Sequence, residues 1–317
     1  MKCDLHRHFG GSLSAATVAT LANISKSEAE KVLTYQPGEL PGYENFFKKF
    51  DILNTISWNY HNIAISIADV VWGLKREGID YAEIKFSIGK YLKSIPNTPE
   101  QIILWICKKF DDECSKWGIE VDLVLSLQYE SDRDFQKRIS QVIRNDLVAE
   151  YIAGIDLVGN EKFFDVDFYK PILDEWHDRK KLCVAHVGEI NHPEHVKQAL
   201  QNLNIDRVCH GIAAADDIEI AKIARDKNIA FDIGISSNVH TGVAGLIDHP
   251  VKRMIDNGFI INIGTDDPVI FSTDLNKEYR LLKKIAGLSD SDVQTIYNNS
   301  IDYSAKGIFA RRGRGET

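Results

Sequence analysis

Hydrophobic residues in this 317-residue chain gather in short, near-continuous runs separated by amphipathic stretches of helical length. Eight runs stand out: Lys2–His8, Ile79–Ser87, Glu120–Leu127, Ile152–Leu157, Leu182–Val187, Arg207–His210, Ile229–Ile233 and Phe259–Ile263. Apolar residues at successive rather than alternate positions predict strands buried on both faces, as in a parallel sheet. Between most of them lie helix-length segments: Pro99–Trp117, Asp134–Glu150, Phe168–Arg179, Pro193–Gln201 and Asp216–Lys227. Eight strand–helix units predict an α/β fold, a (β/α)8 TIM barrel. A doubly wound open sheet is the alternative. It would normally carry a Gly-rich phosphate turn after its first strand, of which Gly10-Gly11 is only a faint echo.

One region breaks the rhythm. Residues from about 15 to 62 are helix-rich, with turn signals at Gln36-Pro37-Gly38 and Pro41-Gly42 and with Phe46, Phe47 and Phe50 close together. A helical insert after the first strand sits at the C-terminal face of a barrel, where it forms a lid or pocket wall, or simply caps the barrel. There is no low-complexity linker and no fixed repeat, so residues 1–310 read as one domain. Residues 311–317 are basic and Gly-rich and read as a disordered tail, with the native end left open.

Composition narrows the class. With 44% apolar and 26% charged residues the chain is an ordinary globular protein, and it is long enough to bury a large core without disulfides. A net charge of −8 argues against nucleic acid or an anionic membrane as partner, since both need a basic face. The five cysteines, Cys3, Cys107, Cys114, Cys183 and Cys209, are odd in number and form no C-x-x-C pair, which suits a reduced, cytoplasmic chain. No signal peptide or membrane span is visible. A homo-oligomer is left open.

The chemistry gathers at predicted strand ends. His6 and His8 form an H-x-H pair on the first strand; residues two apart on a strand point to one side, so both imidazoles can reach one ion. His186 ends the fifth strand, His210 the sixth, and Asp266-Asp267 the eighth. Singly, each has a bland reading: a strand-end His often bonds a backbone carbonyl, and an Asp before a helix is often its N-cap. Together they converge on one face of a barrel. Three His and one Asp, with no cysteine, suit zinc, although iron, manganese or cobalt would also fit. Such a set leaves room for a bound water, whose pKa the metal lowers toward about 7. Glu189, three residues after His186, is the candidate acid/base beside it.

The chain resembles the adenosine deaminase family of the amidohydrolase superfamily. The resemblance rests on Asp4-Leu5-His6-Arg7-His8, the segment Gly78–Ser87, Ile155-Asp156-Leu157-Val158-Gly159-Asn160-Glu161, His186-Val187-Gly188-Glu189, His210-Gly211, the segment Ser236–Gly242, His249-Pro250-Val251 and the segment Asn262–Pro268, all in the family's order. It implies hydrolytic removal of the 6-amino group of a purine, with His6, His8, His186 and Asp266 as zinc ligands. It further implies that Glu189 passes a proton to ring N1 and that His210 orients the hydroxide and stabilises its charge. Asp267 is implied to bond N7, and the Gly159 N–H to reach N3. The cytidine-type deaminases need a P-C-x-x-C segment, which is absent here.

One position departs from the pattern. Nucleoside deaminases of this family usually carry Asp or Asn two residues after the H-x-H pair, where it helps hold the ribose 5′ hydroxyl; this chain has Gly10. Loss of a carboxylate there removes repulsion toward a 5′ phosphate. Gly10, Gly11 and Ser12, before a helix starting near Ser14, then offer N–H groups and a hydroxyl as an anion cradle, with Lys48, Lys49, Lys85 or Lys90 as sources of positive charge. That reading makes the substrate AMP, dAMP or ATP. The alternatives are adenine, an N6-substituted adenine or a modified nucleoside, or plain adenosine with altered affinity. Two further classes stay in view: another metal hydrolase of the same barrel type, and a non-catalytic binding protein. His61, His177, His192 and His195 read as surface or helix residues, and His240 and His249 as structural.

Overall fold

A computed structural model describes residues 1–315 of the chain. Eight parallel strands follow one another in sequence order: β1 Cys3–His8, β2 Tyr81–Phe86, β3 Glu120–Gln128, β4 Ile152–Val158, β5 Leu182–Val187, β6 Arg207–His210, β7 Ala230–Ile233 and β8 Ile260–Ile263. The ring closes just past β8, where Asp266 N–H donates to the His6 carbonyl at 2.7 Å and His8 N–H donates to the Asp266 carbonyl at 2.8 Å. This is the (β/α)8 TIM barrel the apolar runs predict. Nearly every strand residue is buried, which is why those runs do not alternate. Helices between the strands cover the outside. The C-terminal helix Ala305–Gly313 packs Ala305 and Ile308 against Ala153 and Leu182, the starts of two strands, and so closes the end opposite the site.

Two boundaries differ from expectation. Asp134–Glu150 is not one helix. It divides into Arg133–Ser140, a 3-10 turn Gln141–Arg144 and Asp146–Tyr151, because Asn145 adopts an extended backbone and caps the last segment through Leu147 N–H and Val148 N–H. The tail placed at 311–317 begins inside a helix: Arg312 pairs with Asp206 at 2.6 Å, and the helix runs to Gly313. Glu316 and Thr317 lie outside the described residues. No helix among the described residues is long and apolar enough to cross a membrane.

The insert after β1 is built of helices joined by turns, with α1 Ala15–Ala22, α2 Lys26–Leu33, α3 Tyr43–Lys48 and α4 Asp51–Asn54 before the long α5 Tyr60–Glu77. Two backbone bonds tie it to the far side of the barrel mouth: Tyr35 N–H to the Ile270 carbonyl at 3.1 Å, and Gly42 N–H to the His240 carbonyl at 3.0 Å. Phe46, Phe47, Phe50 and Leu53 hang from it over a cavity of about 800 Å³ at the C-terminal ends of the strands. The insert is therefore a wall of that cavity as well as a cap.

Candidate active site

At the floor of the cavity four side chains turn their ligand atoms to one point. Donor atoms of His6, His8, His186 and Asp266 all lie within 4.8 Å of one another. His186 Nε2 is 3.1 Å from His6 Nε2 and 3.2 Å from His8 Nε2, and Asp266 Oδ1 is 3.4 Å and 3.3 Å from the same two nitrogens. The opposite ring nitrogens show what holds them. His6 Nδ1 faces the Asp232 carbonyl at 3.3 Å, and His186 Nδ1 faces Asp156 Oδ1 and the Leu157 carbonyl, both at 3.1 Å. Each Nδ1 thus donates to an acceptor behind it, which leaves Nε2 with a lone pair. Lone pairs crowded this closely repel unless a cation sits among them, so the residues fit a metal. Burial alone would lower the His186 pKa, yet Asp156 beside Nδ1 outweighs it and raises the imidazole to about 10, whereas burial lowers His8 in the same cluster to about 3.

Asp266 reaches the cluster from a left-handed backbone, φ 60°, uncommon for a residue with a side chain. The two bonds that close the barrel, to His6 and His8, hold it there. Burial would raise its carboxyl, but His6, His210 and His8 keep it well below the carboxylate range. Its neighbour Asp267 is the reverse case. Burial first, then repulsion from Asp266, pushes Asp267 well above that range, and its Oδ1 has no hydrogen-bond partner among the described residues. Gly11 packs directly against Asp267, so a Cβ at position 11 would collide with the Asp267 carboxyl.

His210 and Glu189 complete the floor. Asn238 Nδ2 lies 3.1 Å from His210 Nδ1, so the amide donates and the ring proton resides on Nε2. That Nε2–H is 3.8 Å from Glu189 Oε1 and 3.7 Å from Asp266 Oδ2, directed at the gap between them. Burial, then the three neighbouring imidazoles, hold His210 neutral by lowering its pKa well below the usual value. Glu189 is raised to about 8, mainly by burial and next by the Asp266 charge. The loop carrying it is clamped from behind: the buried Glu161 carboxylate accepts the N–H groups of Gly188, Glu189 and Ile190.

Gly159 lines the cavity at a positive φ of 98°, where a Cβ would be strained and would also meet the Glu130 carboxylate. The anion cradle expected at Gly10, Gly11 and Ser12 is not what the geometry provides. Ser12 is buried and its hydroxyl is engaged, accepting from Arg7 Nε and donating to the His8 carbonyl at 2.7 Å. Gly11 lies behind Asp267, and only Gly10 lines the cavity, facing Leu53 and Phe50. Of the lysines considered, Lys49 pairs with Glu39 at 2.6 Å and Lys85 with Asp156 at 2.9 Å. Lys90 stands in the cavity wall with its ammonium 4.5 Å from the Trp58 ring and no carboxylate paired to it among the described residues. His240 and His249 do not line the cavity.

Several residues at the site were not singled out from the sequence. Asp156 and Asn238 fix the tautomers of His186 and His210, Glu161 holds the Glu189 loop, and Tyr43 of α3 bonds Glu189 from the lid at 3.2 Å. Asp156 left a readable signal, a lone carboxylate inside the apolar run 152–157. Asn238 and Tyr43 left none, since each depends on where a loop or lid folds back.

Comparison with known proteins is consistent with this geometry. The family model described as Adenosine deaminase matches residues 1–311. The chain is 26% identical over 310 residues to an adenosine deaminase of Pseudoalteromonas translucida, covering 94% of this chain and 92% of that protein. Among solved structures it is similar to adenine deaminase from Arthrobacter aurescens, with TM-score 0.82 and 18% identity over 99% of this chain and 98% of the other. It is similar also to the N6-methyl-AMP deaminase from Arabidopsis thaliana, with TM-score 0.82 and 21% identity over 99% and 97%.

Proposed function

Since this chain belongs to the adenosine deaminase family, we propose that it is a zinc-dependent hydrolase that replaces the 6-amino group of an adenine base with oxygen, acting on a 5′-phosphorylated nucleotide such as AMP, dAMP or ATP. The observation that carries the reading is the convergence of His6, His8, His186, Asp266, Asp267, His210 and Glu189 on one buried point at the cavity floor. In this reading His6, His8, His186 and Asp266 hold the metal, which when bound supplies a water acidic enough to act as nucleophile at neutral pH.

The remaining work falls to the chain. Glu189, protonated at neutral pH because burial raises it to about 8, gives its proton to ring N1. Protonation of N1 draws electrons from C6 and opens that carbon to attack. The His210 Nε2–H, fixed by Asn238, orients the attacking water and stabilises its developing charge. Asp267, held protonated, donates to N7, and the Gly159 N–H donates to N3. The attacking water gives up both its protons, one returning to Glu189 and one going to the amino nitrogen, which leaves as ammonia, while N1 keeps the proton that Glu189 gave it.

Two features favour a phosphorylated substrate. At position 10, where the resemblance places an acidic or amide side chain on the ribose, there is no carboxylate to repel a phosphate. And Lys90 offers an unpaired ammonium to the cavity; burial lowers it only to about 8, so it is largely charged at pH 7. A charge-assisted bond to phosphate contributes about 1.5–3 kcal/mol, so Lys90→Ala is expected to raise KM for AMP by about 10- to 100-fold. The Kd of the product IMP should rise by a similar factor and that of inosine much less. Steady-state kinetics on AMP with calorimetry on IMP and inosine check this, and equal changes for IMP and inosine would remove Lys90 from the phosphate site.

The function itself is tested by ammonia release from adenine, adenosine, deoxyadenosine, AMP, dAMP and ATP, with and without a chelator. Chelator-sensitive release confined to the phosphorylated members is the expected result. Release from adenosine or adenine instead would overturn the phosphate assignment and keep the deaminase.

A further inference from the structure

One contact at the site has no part in the reaction as described. The Tyr43 hydroxyl, reaching down from α3, lies 3.0 Å from the Gly159 carbonyl and 3.2 Å from Glu189 Oε2. It bridges the carbonyl of Gly159, the residue whose N–H is assigned above to N3, and the Glu189 carboxyl assigned to N1. On a purine ring those nitrogens flank a single atom, C2. We propose that Tyr43 is a specificity-determining residue that reads the C2 edge of the base and rejects purines with a substituent there, the 2-amino group of guanine-type bases above all. The proposal rests on the substrate orientation given under Proposed function.

The physical case starts from the phenol's single proton. The Gly159 carbonyl can only accept, so at 3.0 Å the phenol donates to it. The same proton also lies toward Glu189 Oε2 at 3.2 Å, a second acceptor, so the carboxyl proton of Glu189 is left for N1. The phenol proton is thus held between two acceptors, and the oxygen occupies the place from which a 2-amino nitrogen would itself donate to the Gly159 carbonyl. A C2–H tolerates an oxygen at van der Waals distance. A 2-amino group has to displace it, breaking two buried hydrogen bonds. Yielding is opposed by packing: the Tyr43 ring lies edge-on to Phe47 with centroids 4.9 Å apart and contacts Phe46 at 6.4 Å, and both belong to the lid wall. Between Glu189 and Gly159 the C2 edge is thus closed by an oxygen that the lid supplies, and that oxygen is deleted by a Tyr-to-Phe change.

The test compares AMP with 2-amino-AMP, which share ribose and phosphate, so that changes in lid packing or phosphate binding cancel in the ratio of their kcat/KM values. The wild type is expected to favour AMP by at least about tenfold, the size of discrimination that a displaced hydrogen-bonded group provides. Tyr43→Phe, which removes the oxygen and keeps the ring, should narrow that preference about tenfold, and Tyr43→Ala should narrow it at least as far. As a second readout, calorimetric Kd values for IMP and GMP should show the same preference and the same narrowing without any turnover. Equal use of AMP and 2-amino-AMP by the wild type, or a preference unchanged in both variants, would overturn the proposal. Absence of AMP turnover in the wild type would count against the nucleotide-deaminase reading, and the IMP-to-GMP ratio would still decide the role of Tyr43.

Discussion

Glu189→Gln is expected to lower kcat at pH 7 by about 10²–10⁴-fold, the usual contribution of a positioned general acid, while metal content stays unchanged. Glutamine has the same shape and keeps the contacts with Tyr43 and His210. It lies outside the four-residue cluster that fits the metal. What it cannot do is give a proton to N1. The pH profile makes the assignment stricter. Glu189 acts as an acid, and burial with the nearby Asp266 charge sets it at about 8. The active, protonated form is therefore fully present well below pH 8 and is lost as pH rises through it. The wild type should show an alkaline limb near that value in kcat, read at saturating substrate so that titration of Lys90 falls in KM, and the residual activity of Glu189→Gln should lack it. Near-normal turnover in the variant would sink the acid role. Lost metal with lost turnover would mean that Glu189 supports the cluster instead.

Why did so much of this site show in the sequence? A parallel barrel gathers the C-terminal ends of its strands on one face, so strand-end residues become neighbours whatever their separation along the chain. His6, His8, His186, His210 and Asp266 needed only the strand boundaries, and near-continuous apolar runs define those well. What escaped lies off the strands or depends on a hydroxyl or amide. Ser12 looked free in the motif Gly10-Gly11-Ser12, but the chain turns at once into a 3-10 helix and its hydroxyl is captured by Arg7 and the His8 carbonyl. Lys85 and Lys90 are alike in the sequence, yet one is on β2 inside the barrel and neutralised by Asp156, while the other follows the strand and meets no carboxylate among the described residues. Tyr43 needed the lid's docking on the mouth, set by backbone bonds to Ile270 and His240. The charged residues Glu83, Arg207 and Asp232 inside apolar runs were also visible, and their meaning is a partner that strand assignment alone cannot name.

That partner set predicts the largest effect on stability. Arg207→Ala is expected to cost about 3–5 kcal/mol, the range for breaking a buried ion pair from one side. Arg207 is wholly buried on β6 and bonds to Glu83 through both terminal nitrogens, to Asp232 Oδ2 at 2.8 Å and to the Tyr303 and Leu5 carbonyls at 2.7 Å and 3.3 Å. Removing it leaves the Glu83 and Asp232 carboxylates in the barrel interior without the cation that bonds them. The loss should be non-additive: adding Glu83→Gln to Arg207→Ala relieves one of the stranded charges, so the double variant should be more stable than the sum of the two singles. Activity should divide from stability. The network touches the four-residue cluster through the Asp232 backbone carbonyl behind His6, and the Asp232 carboxylate plays no part in that bond. Urea unfolding of the single and double variants, with kcat measured per folded molecule, checks both points. A loss below about 1 kcal/mol would mean that water reaches the stranded carboxylates or that they take up protons at little cost. A kcat that falls as steeply as stability would mean that the barrel interior, and not only the mouth, sets the geometry of His6.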